Sequence, residues 1–273
     1  MIIDTHSHLN FNAFKEDLDK VIKRTLAQDI WIINVGSKYE TSKRAIEISN
    51  EYNIGVYSAV GLHPIYSASE FTKTKTDPEE GNFSVKEEYF DKERYRRLAE
   101  SDKVVAIGEI GLDYYYRSKT NSKLAEFKEK QKQVLIQQLD LAEELNLPVI
   151  LHCRMAHNDL IEILKTKLNI KGVIHCFTGN WEQAERYLEM GFYLGINGII
   201  DKVDLNEVIK KTPLEKILVE TDCPYLTPLE ENGKRNEPIF IKHIIQKIAK
   251  IKNIDYSQIV EITTQNARNL FKI

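Results

Sequence analysis

Two histidines lie one residue apart near the start of the chain, directly after residues typical of a β-strand. The first residues read MIIDTHSHLN, so only Ser7 separates His6 from His8. Because alternate side chains of a strand point to the same face, this spacing places both histidines on one side. Ile2 and Asp4 are predicted to share that side. Neutral imidazoles are common metal ligands, so the pair supplies half of a metal site.

Other histidines and acids, and one arginine, also lie at or near the ends of strand-like runs. They are His63 in the third run, Glu109 and Asp113 in the fourth, His152 and Arg154 in the fifth, His175 in the sixth and Asp222 in the eighth. Without a cation, imidazoles and carboxylates that converge on one pocket would be unpaired and desolvated, which is costly. The pattern therefore predicts one or two bound divalent ions.

One carboxylate is predicted to bridge two ions. Glu109, in the fourth of eight runs, is the expected bridge, because a carboxylate can join two ions about 3.5–4 Å apart. We expect His6, His8 and Asp222 to bind one ion, and His152 and His175 to bind the other. Asp222 is also expected to accept a proton from the attacking water. This mixture of ligands suits Zn²⁺ or Mn²⁺ and, less well, Mg²⁺.

These residues require a scaffold in which short strands alternate with helices. The strand-like runs cover residues 1–8, 30–36, 54–63, 103–113, 148–154, 171–177, 191–198 and 216–222. Helical spacing of apolar residues predicts helices over 13–28, 122–146 and 239–251, and a last short one over TTQNARNLF. This alternation predicts an α/β fold, a (β/α)₈ TIM barrel, with its active site at the carboxyl ends of the strands. A doubly wound open sheet is the alternative.

The chain length and composition fit one barrel. The 273 residues are predicted to form a single domain over 1–273, with a surface insertion at about 66–100 that ends in a helix over 87–100. A net charge of −3 gives no bulk attraction to polyanions, so nucleic-acid binding must rest on a local basic patch.

Three cysteines are too few for a disulfide framework and indicate a reducing compartment. Cys153, Cys176 and Cys223 are predicted to pack between barrel and helices. The first residues lack a secretory signal, and apolar stretches fall short of the roughly 20 residues of a spanning helix. We therefore expect a cytoplasmic protein without a membrane partner.

Groups that attract anions surround the predicted metal ligands. His63 in GLHP, Arg154 in LHCR and the Gly-Lys-Arg-Asn run at 233–236 favour a phosphoester substrate. The run HCFTGN (175–180) ends a strand and begins a helix whose first amides can bind phosphate. The tyrosines at 114–116 either stack on a base or cover apolar surface.

A series of motifs runs in order through the chain: DTHSHLN, GLHP, AIGEIGLDYYY, LHCR, HCFTG, ETDCPYLTP, GKRNEP and TTQNARNLF. The ordered set resembles the TatD family of metal-dependent deoxyribonucleases. The resemblance implies a barrel of the metal-dependent hydrolase type, two metal ions and Mg²⁺-stimulated, often exonucleolytic cleavage of DNA in the cytoplasm. It implies metal binding by His6, His8, Glu109, His152, His175 and Asp222, and phosphate contacts by His63, Arg154, Arg235 and Asn236.

Three functions are compatible with these residues. The first is hydrolysis of ester bonds by a monomeric deoxyribonuclease that uses two divalent ions (Mg²⁺, Mn²⁺ or Zn²⁺) and acts on single-stranded DNA or DNA ends. The second is an ester or amide hydrolase of the amidohydrolase type, including deacylation of D-aminoacyl-tRNA. The third is a non-catalytic metal- or nucleic-acid-binding protein, which would not need Asp222 beside an open metal site.

Overall fold

In the part of the chain that the structure describes, eight parallel strands form one sheet in chain order. The computed structural model describes residues 1–68, 78–81, 88–115 and 121–273. The strands are β1 (Ile2–Ser7), β2 (Ile30–Val35), β3 (Val56–Val60), β4 (Val104–Asp113), β5 (Val149–Arg154), β6 (Gly172–Ile174), β7 (Tyr193–Ile196) and β8 (Ile217–Val219). A bridge between Ser7 and Cys223 joins the first strand to the segment after the last. The predicted barrel is confirmed, and the open sheet is wrong.

Helices connect successive strands, and two more follow the last strand. They are α1 (Leu18–Leu26), α2 (Tyr39–Asn50), α3 (Pro64–Ser67), α4 (Lys92–Ala99), α5 (Asn121–Leu145), α6 (His157–Leu164), α7 (Trp181–Glu189), α8 (Asn206–Lys211), α9 (Ile241–Lys252) and α10 (Tyr256–Phe271). The predicted helices are confirmed, although the last is longer than the terminal motif indicated. Of the predicted insertion, residues 69–77 and 82–87 lie outside the described residues. In the described part of the chain, no helix has both the length and the apolar composition needed to cross a membrane.

Two apolar layers hold the barrel together. The inner core contains mainly alanine and β-branched side chains from the strands, together with a few larger ones; its members include Ile3, Ile33, Ala59, Ile150, Val173 and Leu218. A larger outer core lies between strands and helices, where one face of α9 is buried. Strands covered on both faces need nearly continuous apolar sequence, which explains the Val, Ile and Leu runs.

The first strand does not alternate strictly. Ile3 belongs to the inner core, whereas Ile2 packs against the outer core. The register with β2 then shifts between Asp4 and Ser7, where the paired residues advance by three on β1 and by two on β2. The extra residue is a bulge, a feature that re-aims side chains near active sites. The prediction that one unbroken alternation runs from Ile2 to His8 is therefore wrong.

A second register shift lies in β4. Its pairing with β5 shifts between Ile107 and Ile110, a segment that contains Glu109. The backbone amide of Glu109 donates instead to the carbonyl of Gly36, at the end of β2, at 2.9 Å. Register shifts thus lie close to His6 in β1 and at Glu109 in β4.

Candidate metal centre

The end of β1 and the segment after β8 bring together the first three predicted ligands. His6 Nε2 lies 3.1 Å from His8 Nε2. Asp222 Oδ1 lies 3.7 Å from His6 Nε2 and 3.4 Å from His8 Nε2. The Asp222 amide donates to the carbonyl of His6 at 2.8 Å. The contact between β1 and the segment after β8 therefore also positions the three side chains.

The ends of β5 and β6 bring together the second predicted group. Glu109 Oε1 lies 2.8 Å from His152 Nδ1 and 2.8 Å from His175 Nε2. The two imidazole nitrogens are 3.4 Å apart. Because β5 and β6 are neighbours in the sheet, His152 near the end of β5 and His175 just after β6 meet at the same carboxylate oxygen.

Glu109 lies between the two groups. While Oε1 faces His152 and His175, Oε2 lies 3.6 Å from His6 Nε2 and 3.7 Å from His8 Nε2. Ligands about 2.1 Å from one tetrahedral ion are separated from each other by about 3.4 Å. The separations within the two groups run from 2.8 to 3.7 Å and so lie on both sides of this value, and the imidazole and carboxylate donors fit divalent ions.

Electrostatics favour an ionised bridge. Burial opposes the charge on Glu109, but His63, His175 and His152 outweigh burial and hold its pKa well below the ordinary value. Burial likewise opposes the charge on Asp222, yet His8 and its neighbours lower the pKa. Both carboxylates are therefore charged at neutral pH, as metal ligands must be.

The non-ligating nitrogens of two histidines are held by hydrogen bonds. His8 Nδ1 lies 2.8 Å from the carbonyl of Val35, so it carries the proton and leaves Nε2 free to bind. His152 Nε2 lies 3.0 Å from Asp113 Oδ2. A histidine that donates its other N–H to a carboxylate or carbonyl is fixed in orientation as a metal ligand. Asp113, noted in the sequence only as a strand-end acid, thus orients His152.

Glu220 is a buried acid that the sequence reasoning missed. Its Oε1 accepts hydrogen bonds from the Cys176 amide at 2.6 Å and from Asn197 Nδ2 at 3.0 Å. The same oxygen lies 3.5 Å from His175 Nδ1. A Cβ on Gly195 would lie 2.4 Å from Oε2, so only glycine leaves room for this side chain. The i, i+2 spacing of Glu220 and Asp222 is the signal that could have found it.

His63 approaches the bridge as a hydrogen-bond donor. Its Nδ1 accepts from the amide of Ile65 at 3.1 Å, so the proton of the neutral ring lies on Nε2. That nitrogen is 3.4 Å from Glu109 Oε1. In this tautomer Nε2 donates rather than binds a cation, which is compatible with the predicted phosphate contact.

Of the remaining predicted phosphate contacts, Arg154 lies at the cavity and the others do not. Arg154 lines the cavity above the metal centre, and its guanidinium lies 3.7 Å from the ring centre of the exposed Tyr115. Arg235 forms two hydrogen bonds with Asp17, at 2.9 and 2.8 Å, and lies 3.0 Å from Glu237. Neither Arg235 nor Asn236 belongs to the described residues that line the cavity.

The cavity has a volume of about 340 Å³. Phe11, Tyr225, Leu226 and Ile199 form an apolar wall on the side of β1, β7 and β8. Tyr114 is buried, and its hydroxyl donates to Asp159 at 2.8 Å, so it covers apolar surface rather than stacking on a base. Tyr116 lies outside the described residues.

The backbone turns sharply where several of these strands end. Met155, Cys176 and Asp222 have left-handed backbone conformations, with φ of 57°, 45° and 56°. Such positions store strain and cluster at functional sites. Cys176 is only partly buried and lines the cavity, so its predicted packing role is wrong. Cys153 and Cys223 lie in the apolar cores as predicted, and Cys153 also reaches the cavity.

Comparison with known proteins identifies the family. The family model described as TatD related DNase matches residues 3–272. This chain is a member of the TatD family. The YJJV TatD homologue of Escherichia coli K12 has the same fold, with a TM-score of 0.82, 28% identity, and coverage of 100% of this chain and 98% of that one.

TatD-family relatives match over the full length. The uncharacterized metal-dependent hydrolase YabD of Bacillus subtilis is 39% identical, and the alignment covers 100% of both chains. The relative named 3'-5' ssDNA/RNA exonuclease TatD from Erwinia tasmaniensis is 35% identical, again over 100% of both. The chain is a metal-dependent hydrolase of this family, as the resemblance implied.

Proposed function

We propose that this protein is an exonuclease that hydrolyses phosphodiester bonds in single-stranded nucleic acid, with two divalent ions at the barrel mouth. The 3'-5' ssDNA/RNA exonuclease name of a relative that matches over its full length supports this substrate. It favours phosphodiester cleavage over the alternative ester or amide hydrolysis. We further propose action on DNA ends by a monomer in the cytoplasm, a compartment that suits three free cysteines.

The observation that carries the proposal is the position of Glu109. Its two oxygens face different histidine pairs, His6 with His8 and His152 with His175. A single ion would need only one of these groups, whereas two ions held by one bridging carboxylate use all of them.

Six residues would hold the ions: His6, His8, Glu109, His152, His175 and Asp222. When bound, the ions polarise the phosphoryl oxygens and make a water nucleophilic near neutral pH. The protein supplies the remaining chemistry. Asp222 is ionised because its pKa is lowered, and it lies beside His6 and His8, so it would be placed to accept the proton of the attacking water. His63 Nε2–H and the Arg154 guanidinium donate hydrogen bonds to the phosphate.

The decisive test is Glu109→Gln. Loss of the bridging charge should lower kcat/KM for a single-stranded oligonucleotide by about a hundredfold or more, because even groups outside the ligand shell cost 10–100-fold in affinity or activity. Metal content, measured by elemental analysis after dialysis in Mn²⁺, should fall from two ions per chain. The far-ultraviolet circular dichroism should not change, since Gln fills the same space.

His243→Ala is the matched control. His243 lies on α9, where Nε2 is 3.2 Å from Glu231 Oε1, outside the centre. This variant should keep both metal content and nuclease activity. Wild-type turnover by the Glu109→Gln variant would disprove the bridging role, and an active variant with one ion per chain would disprove the two-ion centre.

A further inference from the structure

Beyond the metal centre, we propose that Glu80 selects the end group of the substrate: it accepts a hydrogen bond from a free 3'-hydroxyl and excludes a strand that ends in a 3'-phosphate. This inference rests on the proposed exonuclease function. It assigns a role to a carboxylate that lines the cavity but contributes nothing to the grouping of metal ligands.

Glu80 is held firmly in the cavity wall. Its two oxygens accept hydrogen bonds from the hydroxyls of Ser37 and Tyr66. Lys38 Nζ lies 3.6 Å from Oε1, and the side chain is 10% exposed. The Glu80 carbonyl also accepts from the amide of Asn12 at 3.3 Å, which anchors residues 78–81 to the loop after β1.

The position of Glu80 connects it to the reacting centre. The carbonyl of Ser37, whose hydroxyl bonds Glu80, accepts from the His63 amide at 2.8 Å. His63 in turn faces Glu109 Oε1. Glu80 and Glu109 line the same cavity, so a substrate whose scissile phosphate lies at the metal centre has room to extend its end group towards Glu80.

Charge decides which group fits there. Ionised carboxylates accept hydrogen bonds and donate none, and a carboxylate has about four lone-pair sites. With Ser37, Tyr66 and Lys38 as neighbours, Glu80 retains capacity to accept from a sugar hydroxyl. A terminal phosphate would instead place negative charge beside negative charge, and such contacts are strongly selected against at interfaces.

Another part of the cavity rim carries the complementary charge. Arg154 lies at the end of β5, whereas the partners of Glu80 lie after β2 and β3. An exposed cation and a mostly buried acid on one cavity suit a polyanion that passes over Arg154 and ends at Glu80. The cavity thus distinguishes the 3' end of a nucleic-acid substrate from the nucleotides that precede it.

The test compares two single-stranded oligonucleotides of one sequence, labelled at the 5' end, with either a 3'-hydroxyl or a 3'-phosphate. The wild-type protein in Mn²⁺ should prefer the hydroxyl end in kcat/KM by about tenfold or more. Glu80→Gln should bring this ratio close to one, mainly because cleavage of the phosphate end becomes faster. The amide keeps the shape and an acceptor oxygen.

Two controls separate charge from structure. Glu79→Gln makes the same change on the neighbouring exposed residue and should keep the wild-type ratio. Tyr66→Phe removes one hydrogen bond but leaves the charge, so it should also keep the ratio. If Tyr66→Phe lost the ratio as Glu80→Gln does, Glu80 would act only by holding residues 78–81, which would overturn the proposal.

The outcomes also separate this inference from the proposed function. A wild-type protein that degrades both ends equally, or a Glu80→Gln variant that keeps the preference, overturns the role of Glu80 and leaves the exonuclease in place. A wild-type protein that degrades neither oligonucleotide with any divalent metal refutes the exonuclease itself, and the end-group role with it.

Discussion

At the scale of single residues, Asp4 is a fully buried carboxylate below the metal centre whose described hydrogen-bond partners are neutral. Its Oδ1 accepts from the Thr221 amide at 2.9 Å and from the His6 amide at 3.3 Å, and its Oδ2 contacts the Thr221 hydroxyl at 2.5 Å. Burial raises the pKa of Asp4 to about 8, against the opposing effect of these hydrogen bonds. A raised carboxyl pKa means that folding favours the protonated form.

This pKa predicts how stability depends on pH. The contribution of Asp4 is fully present below its unfolded pKa, near 4, and is lost as pH rises through about 8. Asp4→Asn removes the charge, so it should raise the free energy of unfolding of the metal-free protein at pH 8 by roughly 1–3 kcal/mol. Urea unfolding at pH 5 and pH 8 measures this difference, which should shrink towards pH 5. An equal effect at both values would show that Asp4 is already charged at pH 5.

The candidate metal ligands could be predicted because they lie near the ends of strands. The residues that hydrogen-bond to these ligands could not be predicted. His6, His152 and His175 stand out by type and position in the sequence. The role of Asp113 depends on its distance from His152, and nothing local reveals it. The same holds for His63, whose tautomer is set by the amide of Ile65.

At the scale of elements, the loop after β8 is fastened to α1 by a network of ion pairs. Arg235 bonds Asp17 with two nitrogens, contacts Glu237 and lies 4.2 Å from the ring centre of Phe14. Arg24, on α1, donates to Glu237 at 2.8 and 2.7 Å. The planar guanidinium matches carboxylates in this bidentate manner. The predicted phosphate contact of Arg235 competes with these partners.

The network predicts a structural effect for Arg235→Met. The substitution leaves Asp17 without its bidentate partner, so the free energy of unfolding should fall by about 1–3 kcal/mol. The KM for an oligonucleotide should not change. Lys234→Met, on an exposed neighbour paired with Glu231, should change stability by less than about 0.5 kcal/mol. A raised KM with unchanged stability would instead support the phosphate contact.

The positions of the elements were predictable, but their irregularities were not. Continuous Val, Ile and Leu runs predicted the eight strands because both faces of a parallel sheet are covered. The bulges near His6 and Glu109 leave no such pattern, since they depend on pairing with β2 and β5. Without the bulge in β1, the alternation that places Ile3 in the inner core would turn His6 away from the cavity.

At the scale of the whole molecule, one end of the barrel carries the candidate metal centre and the other end stabilises the fold. The carboxyl ends of the strands carry the metal centre, and α10 covers the amino ends. The Thr264 hydroxyl donates to the carbonyl of Met1 at 3.0 Å, and Asn266 Nδ2 donates to the carbonyl of Ile217 at 2.8 Å. Beyond these bonds, Leu270 and Phe271 pack into the inner core.

This arrangement predicts that a substitution at the amino ends of the strands can lower stability without changing metal binding or catalysis. Phe271→Ala opens a cavity in the inner core, and such changes cost about 3–5 kcal/mol. Urea unfolding should report that loss, while metal content and kcat/KM at 20 °C remain at wild-type values, because Phe271 packs at the opposite end from Glu109. Lys272→Ala, on the exposed neighbour, is the matched control and should change neither. Loss of metal from the Phe271→Ala variant at 20 °C, while circular dichroism shows that it is still folded, would contradict this division, because it would require the inner core to transmit packing changes to the ligands.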